Sequence, residues 1–395
     1  MQPWLSLIGI GEDGLSGLSA ASRAALDEAD IVFGGPRHLA IAGVGERGRP
    51  WPLPFSVAPV LEARGKKVAV LASGDPFWFG VGGTLAANLD PSEWRAFPAP
   101  STFSLIAARL GWRLEETACL GLHAAPFARL RPHLLEGARL ICLVRDGAAV
   151  RALGTYLAEQ GFGESRAHLC AALGGPNEEV TGFTAADLAT TQAGTLVAVA
   201  LDLRGGRGPI RASGLPDDAF LHDGQITKRP VRALTLSALA PRRGEQLWDI
   251  GSGSGSISIE WLLATGPGGR AIAIEPRPDR AATIARNGRA FGVEDGLQVV
   301  EGRAPEVLAG LSLPQAVFIG GGGSAPVLET LWSLLPAGTR IVANGVTLET
   351  EMLLADWSAR HGGTLLRIEL AQAQPLGGMR GWTPTRPIVQ WSVVR

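Results

Sequence analysis

The 395-residue chain is 46% hydrophobic and 18% charged, which excludes an intrinsically disordered protein and leaves room for two domains or three. A formal net charge of −1 exerts no global pull on nucleic acid or an anionic membrane, so any acidic substrate must be held by locally placed arginines. No run reaches the roughly 18 apolar residues of a membrane span, and Cys119, Cys142 and Cys170 lack metal-ligand spacing and read as buried thiols of a reducing compartment, the cytoplasm.

Met1 to Gly11 has no basic n-region and runs into Glu12-Asp13, so it reads as a first strand, Leu5 to Ile10, and not as a signal peptide. The strand closes on Gly9-Ile-Gly11, and a helix capped by Ser19 or Ser22 follows to Glu28. Ile31 to Phe33 is a second strand, stopped by Gly34-Gly-Pro-Arg37-His38-Leu39. Lys67 to Ala72 is a third, leading into Ser73-Gly74-Asp75-Pro76-Phe-Trp-Phe79-Gly80. Trp94 to Phe97 is a fourth, after which Pro100-Ser101-Thr102 opens a helix through Leu110. Strands alternating with helices, with Gly, Pro or Ser turns at strand ends, predict an α/β fold whose site lies at the strand C-termini.

A second lobe starts near Thr117, with strands at Arg139 to Arg145, Ala167 to Ala172 and Thr195 to Leu201. A helix from Ala148 to Gln160 and a helical turn from Ala186 to Thr190 lie between them, and Leu173-Gly-Gly-Pro-Asn-Glu178 follows the middle strand. The Gly- and Arg-rich Arg204 to Arg211 has no periodicity and reads as a linker. The expected organisation is a domain over 1–205, with lobes of about 1–116 and 117–205, a linker at 206–214 and a second domain over 215–395.

In the second domain, Asp249-Ile-Gly251-Ser252-Gly253-Ser254-Gly255 sits between an apolar run and an amphipathic one, the strand–turn–helix context of a nucleotide-type ligand. Glycines let the backbone turn tightly and approach a ligand closely. Glu275 ends the next strand, Arg270 to Glu275, where its carboxylate could accept from both ribose hydroxyls. The acid before the first glycine, the missing GxGxxG spacing and the missing Lys-Ser/Thr favour S-adenosylmethionine (SAM) over a dinucleotide; a tight turn without a ligand is the plain alternative. Helices at Pro278 to Phe291, Ala325 to Leu335 and Leu348 to His361 alternate with strands at Leu297 to Glu301, Gln315 to Ile319 and Thr339 to Ala343. Closing strands at Thr364 to Ala371 and Arg386 to Val394 complete a seven-stranded sheet with a reversed edge. Gln372 to Thr385 reads as a Gly-rich loop carrying Met379, Arg380 and Trp382.

Each half resembles a known family. Gly9-Ile-Gly11, Gly74-Asp75-Pro76-Phe-Trp-Phe79-Gly80, Pro100-Ser101-Thr102 and Leu173-Gly-Gly-Pro-x-Glu178 resemble the tetrapyrrole methylases, which bind SAM between two α/β lobes. Within that group Gly34-Gly-Pro-Arg-His-Leu39 is similar to the subfamily acting at meso carbon 5. Where relatives carry His-Gly-Arg this chain has His123-Ala124-Ala125, and Ala172 stands where an acid often precedes Leu-Gly. Gly224-Gln-Ile-Thr227-Lys228-Arg229-x-Val-Arg232, Asp249 to Gly255, Glu275-Pro, Asn287 with Phe291-Gly292, and Glu301-Gly-x-Ala304-Pro resemble the precorrin methylases acting at carbon 15 with decarboxylation of the carbon 12 acetate. The fusion resembles the precorrin-6Y C5,15-methyltransferase (decarboxylating) family of aerobic cobalamin synthesis. The resemblance implies a tetrapyrrole methylase fold joined to a Rossmann-like class I methyltransferase fold, two SAM sites per chain, a precorrin substrate and a homodimer or tetramer. It implies SAM contacts at Thr227, Asp249, Gly251 to Gly255, Glu275 and Ala304, and in the first domain at Gly9, Gly11, Gly74, Asp75, Pro76, Ser101, Thr102 and Leu173.

The residue types suit that chemistry. A sulfonium methyl taken by an electron-rich ring carbon needs no oxygen or nitrogen nucleophile, and no metal or Ser-His-Asp set is expected. Substrate carboxylates call for cationic forks: Lys228, Arg229, Arg232 and Arg380 in the second domain, Arg37 and Arg145 in the first. Asn344, just past a strand end, is a further catalytic candidate; His38 and His123 lie near motif loops but read first as loop hydrogen-bonders. Three rivals stay open: the cobalt-bearing anaerobic substrate, a SAM-dependent RNA methyltransferase, and a non-catalytic SAM-binding regulator.

Overall fold

A computed structural model of the chain describes residues 3–206, 208, 210 and 212–395. Arg207, Pro209 and Arg211 of the expected linker, and the first two residues of the expected opening segment, lie outside the described residues. The chain divides into two compact units, Met1–Phe127 with His133–Gly208, and Ala128–Pro132 with Pro209–Arg395.

The first unit holds two five-stranded sheets. Strands β1 (Leu5–Ile10), β2 (Ile31–Gly34), β3 (Gly48–Pro50), β4 (Val68–Ser73) and β5 (Trp94–Phe97) are all parallel, in the order β3-β2-β4-β1-β5. The central pair, β1 and β4, is apolar almost throughout because helices cover both of its faces. Those helices are α1 (Ala20–Asp27), α2 (Pro36–Ile41), α3 (Ala58–Glu62) and α4 (Gly82–Ala86). Helix α5 (Thr102–Leu110) leads on to the second sheet, made of β6 (Thr117–Gly121), β7 (Arg139–Leu143), β8 (Arg166–Ala171), β9 (Glu179–Thr184) and β10 (Val197–Asp202). Its order is β6-β7-β10-β8-β9, parallel only between β6 and β7. Helix α6 (Gly147–Glu159) is capped by Asp146, which accepts from Ala149 N at 2.8 Å.

The second unit holds a seven-stranded sheet and a separate two-stranded one. Helix α7 (Arg229–Leu239) precedes β11 (Gln246–Ile250), α8 (Ser256–Thr265), β12 (Arg270–Glu275), α9 (Pro278–Phe291), β13 (Leu297–Glu301), β14 (Ala316–Ile319), α10 (Ala325–Leu334), β15 (Arg340–Gly345), α11 (Leu348–His361) and β16 (Thr364–Ile368). After β17 (Ala371–Leu376) and β18 (Met379–Pro384), the last strand, β19 (Ile388–Val394), inserts between β15 and β16 and runs antiparallel to both. The order β13-β12-β11-β14-β15-β19-β16 reverses direction between β11 and β14. That reversal opens a crevice at the strand C-termini, where doubly wound sheets bind ligands. Helix α8 is buried nearly all round, and the polar side chains it takes inside, Ser258 and Glu260, are hydrogen-bonded there.

Five departures from the sequence reading have local causes. Strand β3 is three residues long and ends in proline, and β6 and β9 are edge strands with half-exposed, Thr-containing patterns. Helix α7 opens on Lys-Arg-Pro with no side-chain cap. The expected loop from Gln372 to Thr385 is a β-hairpin, β17–β18, pairing Leu376 with Met379 around Gly377-Gly378. Among the described residues no helix is long and apolar enough to cross a membrane, and no cluster of His, Cys, Asp or Glu could hold a metal ion.

Candidate functional site

In the first unit three strand-end loops meet backbone to backbone. A Cβ on Gly9 would lie 1.7 Å from the Gly74 carbonyl oxygen, and one on Gly74 2.7 Å from Ser101 Cα. Only glycine permits that approach; Gly74 N donates to Ile10 O at 3.2 Å and Ala99 N to Gly74 O at 3.1 Å. Asp75 accepts from Phe77 N at 2.8 Å and so fixes its own turn, while the Pro76 carbonyl accepts from Gly82 N at 2.8 Å. Ser101 caps α5, accepting from Ser104 N at 3.1 Å, and Thr102 begins the helix.

Gly11, Gly74, Ser101, Thr102 and Leu173 line one cavity of about 410 Å³. Gly9, Asp75 and Pro76 stand outside its lining and hold the turns that shape it. Arg37, His38, His123 and Arg145 also face the cavity, joined by Glu12 and Ser73, which sequence reasoning passed over. Position was the available signal for Ser73, the last residue of β4 before Gly74. His38 Nε2 lies 2.9 Å from Ser73 Oγ and 2.8 Å from Arg37 Nη2, and Arg37 pairs with Glu12. Burial, helped by the Arg37 charge, pushes the His38 imidazole down to about 4, so it is neutral at pH 7. Ala172, on the cavity wall, has φ of +44°, a left-handed conformation that costs a non-glycine residue of order 1–2 kcal/mol. Arg145 is mostly exposed and is engaged by Asp146 at 2.9 Å.

In the second unit Gly251, Gly253 and Gly255 all have positive φ, +69°, +60° and +78°. A Cβ at Gly251 would meet the Gly321 carbonyl oxygen at 2.4 Å, and one at Gly255 would meet Ile284 Cγ2 at 2.8 Å. At Gly253 the nearest atom is Gln225 O, at 3.5 Å, so the middle glycine presents an open face. Glu275 is buried at the end of β12; its carboxylate accepts from Gly253 N at 2.9 Å and Arg277 N at 3.1 Å. Asp249 lies beneath the loop, 1% exposed, and one oxygen accepts from Ser252 Oγ (2.7 Å), Ser258 N (3.2 Å) and Ser258 Oγ (2.6 Å). Burial raises its carboxyl above the usual carboxylate range. Its other oxygen and the Ser254 hydroxyl are buried with no hydrogen-bond partner among the described residues. Ala304 packs half-buried against the sheet core.

Residues 5–189 match the family model described as tetrapyrrole (corrin/porphyrin) methylases, and 218–395 the model described as precorrin methyltransferase domain. A Sinorhizobium sp protein named precorrin-6Y C(5,15)-methyltransferase [decarboxylating] is 50% identical, covering 99% of this chain and 96% of its own length. A Mycobacterium tuberculosis protein of the same name is 38% identical over 98% of this chain and 99% of its own. This chain belongs to the precorrin-6Y C(5,15)-methyltransferase (decarboxylating) family. The solved C-terminal domain of a precorrin-6Y C5,15-methyltransferase from Rhodobacter capsulatus is 60% identical, covering 47% of this chain and 100% of that one, with a TM-score of 0.46.

The remaining candidates of this methyltransferase family member fall in different places. Asn344 sits at the C-terminal end of β15, donating to Thr235 Oγ1 at 3.1 Å and accepting from Gln390 Nε2 at 2.9 Å; Gln390 also donates to Thr235, at 3.0 Å. Thr235 and Gln390 are buried and fix the orientation of that amide. Lys228 and Arg229 are exposed at the start of α7, Lys228 lying 3.9 Å from Asp217. Arg380 is exposed on the β17–β18 hairpin, where Trp382 is 77% exposed. Arg232 is a correction. Its side chain is 0% exposed, bonded to Glu260 (2.6 Å), Asp217 (3.1 Å) and the carbonyls of Leu215 and Thr227, so it cannot grip a substrate.

Proposed function

We propose that each unit is a methyltransferase: the first methylates carbon 5 of precorrin-6Y, and the second methylates carbon 15 and releases the carbon 12 acetate carboxyl as CO2, giving precorrin-8X in cobalamin biosynthesis. The observation that carries this reading is the pair of differently built strand-end cradles on one chain that is alike end to end to enzymes of that name. The relatives named for cobalt-precorrin match 46% of the chain or less, which favours the metal-free substrate.

SAM supplies a methyl group on a positively charged sulfur. Its fit is supported in the second unit by the open face of Gly253, the buried Glu275 carboxylate and two partnerless polar atoms on Asp249 and Ser254, because buried polar groups call for partners. In the first unit the support is the cavity lined by Gly11, Gly74, Ser101 and Thr102. The residues act mainly by position, since holding reacting carbons about 3–3.5 Å apart in line supplies much of the acceleration. Exchanging a ring hydrogen for methyl releases a proton; His38, held neutral with its Nε2 beside Arg37 and Ser73, is a weak base and serves to orient the Arg37 and Ser73 side chains on the cavity wall.

For decarboxylation the carboxylate electron pair flows into the conjugated macrocycle. A tight Arg pair would stabilise that carboxylate in its ground state. Asn344, a neutral amide held in one orientation, suits the departing acetate, leaving Lys228, Arg229 and Arg380 to grip the others. The reading places the enzyme in the cytoplasm as a homodimer or tetramer without a nucleic-acid partner, supported by the net charge of −1 and the exposed apolar Leu376, Met379 and Trp382.

Incubating the full chain with SAM and precorrin-6Y, followed by mass, should show two methyl additions and one loss of CO2. Glu275→Ala should retain one methylation and lose both the second and the decarboxylation. A Glu275→Ala product that has lost CO2 would refute the assignment of reactions to units.

A further inference from the structure

The chain from Gly214 to Lys228 leaves and returns to nearly the same point: a Cβ on Gly214 would lie 3.1 Å from Arg229 O. Its base is clamped by the buried Glu260–Arg232 pair. Glu260 accepts from Gly214 N (2.6 Å), Leu215 N (2.9 Å) and Arg232 Nε (2.6 Å), while Arg232 donates to the carbonyls of Leu215 and Thr227. A segment with its ends pinned together in this way is an Ω-loop. Its far side runs past the glycine loop, with Gln225 O beside the open face of Gly253.

Helix α9 backs both loops at once. Ile284 fills the space against Gly255, Arg280 pairs with Asp223 at 2.8 Å, and Phe291 stacks on Phe220 with centroids 4.9 Å apart. Between them Asn287, 1% exposed, bonds to both loops through one amide. Its Oδ1 accepts from Leu221 N at 2.9 Å, and its Nδ2 donates to Leu221 O and to Ser254 O, each at 2.9 Å. That set needs one acceptor and two donors on a short, planar group, the inventory of asparagine. Aspartate in its place would set an acceptor against two carbonyls.

We infer that Asn287 is a positioning residue that registers the Ω-loop against the glycine loop, so that the two walls of the methyl-donor site become ordered together. This rests on the reading of the glycine loop as a donor site. Thr227 is at the end of the Ω-loop and Ser254 is in the glycine loop, so a ligand touching both walls draws on the register that Asn287 sets. Without the amide each loop keeps its own fastenings, Glu260 with Arg232 for one and Asp249 with Glu275 for the other, but the coupling between them is lost.

Hydrogen exchange on the full chain, read by mass spectrometry with S-adenosylhomocysteine as the probe, tests this site by site. In the unmodified protein, peptides spanning 214–228 and 249–256 should gain protection with one common midpoint. In Asn287→Asp the glycine-loop midpoint should rise about tenfold, and the Ω-loop peptide should cease to respond. Peptides around Gly74 and Ser101 in the other unit should keep their midpoint and serve as the internal control. Asn287→Ala removes all three bonds without setting an acceptor against the two carbonyls, and it puts the best helix former at an interior position of α9. It should uncouple the two peptides in the same way, and it decides the matter if Asn287→Asp loosens α9 itself. Common, unshifted midpoints in Asn287→Ala would overturn the inference. If the probe protects nothing at 249–256 in the unmodified chain, it is the donor-site reading that fails.

Discussion

Glu260→Gln should lower the unfolding temperature of the second unit while leaving that of the first unchanged. The carboxylate is buried and accepts from two backbone N–H groups and from Arg232, whose side chain is itself 0% exposed. An amide keeps one acceptor oxygen but turns an N–H₂ toward these donors and strips Arg232 of its nearest counter-charge. Breaking a buried pair by removing one partner costs about 3–5 kcal/mol. Asp217 stays 3.1 Å from Arg232, so the lower end, about 3 kcal/mol, is expected. For a unit of this size each kcal/mol moves Tm by roughly 2–4 °C, giving a fall of about 6–12 °C. Scanning calorimetry, with hydrogen exchange to assign the transition, measures it. A fall below about 3 °C, or Arg232→Lys raising the substrate KM at unchanged Tm, would refute the clamp and return Arg232 to the substrate-binding set.

Gly251→Ala and Gly253→Ala should separate stability from binding. The first adds a left-handed alanine and a methyl 2.4 Å from the Gly321 carbonyl, about 2–5 kcal/mol in chemical denaturation; the second adds only the left-handed penalty of about 1–2 kcal/mol but should weaken S-adenosylhomocysteine binding in the second unit at least tenfold. Equal stabilities of the two variants would contradict the crowding argument. For His38, the folded value near 4 lies below the ordinary 6.5, so between those limits the unfolded chain takes up a proton that the folded chain refuses. The first unit should therefore be fully stabilised above pH 6.5 and lose that contribution as pH falls through about 4. Melting curves across this window should slope less in His38→Gln, and an imidazole NMR titration midpoint near 6.5 would contradict its burial beside Arg37.

Elements that carry their own pattern were legible. The strand Arg270–Glu275 and the helices Pro278–Phe291 and Leu348–His361 fall where apolar spacing and flanking Gly and Pro put them. The turns of both cradles were legible too, because a glycine at a strand end is informative without a partner in view. Arg232 was not. A charge at the start of a helix reads as surface, and only Glu260 and Asp217, 28 and 15 residues away, make it internal. The same limit hid Thr235 and Gln390, whose meaning comes from Asn344, 109 and 46 residues distant. Sequence spacing reports on neighbours along one element; a polar side chain inside a core is specified by several elements at once.

The β17–β18 hairpin leaves the large sheet just after Ile368 and re-enters just before Ile388, and those two residues are each other's partners in the β16–β19 ladder. Thr385 N closes the stem on Leu370 O at 2.8 Å. The hairpin is thus spliced onto the sheet as a detachable arm. Adding or removing a rung shifts no residue of β16 or β19 to the wrong face, whereas a one-residue slip within those strands would invert every side chain. Evolution can therefore lengthen, trim or exchange this arm without renegotiating the core. The freest part of the fold is thus also the part that holds Leu376, Met379 and Trp382 out into solvent.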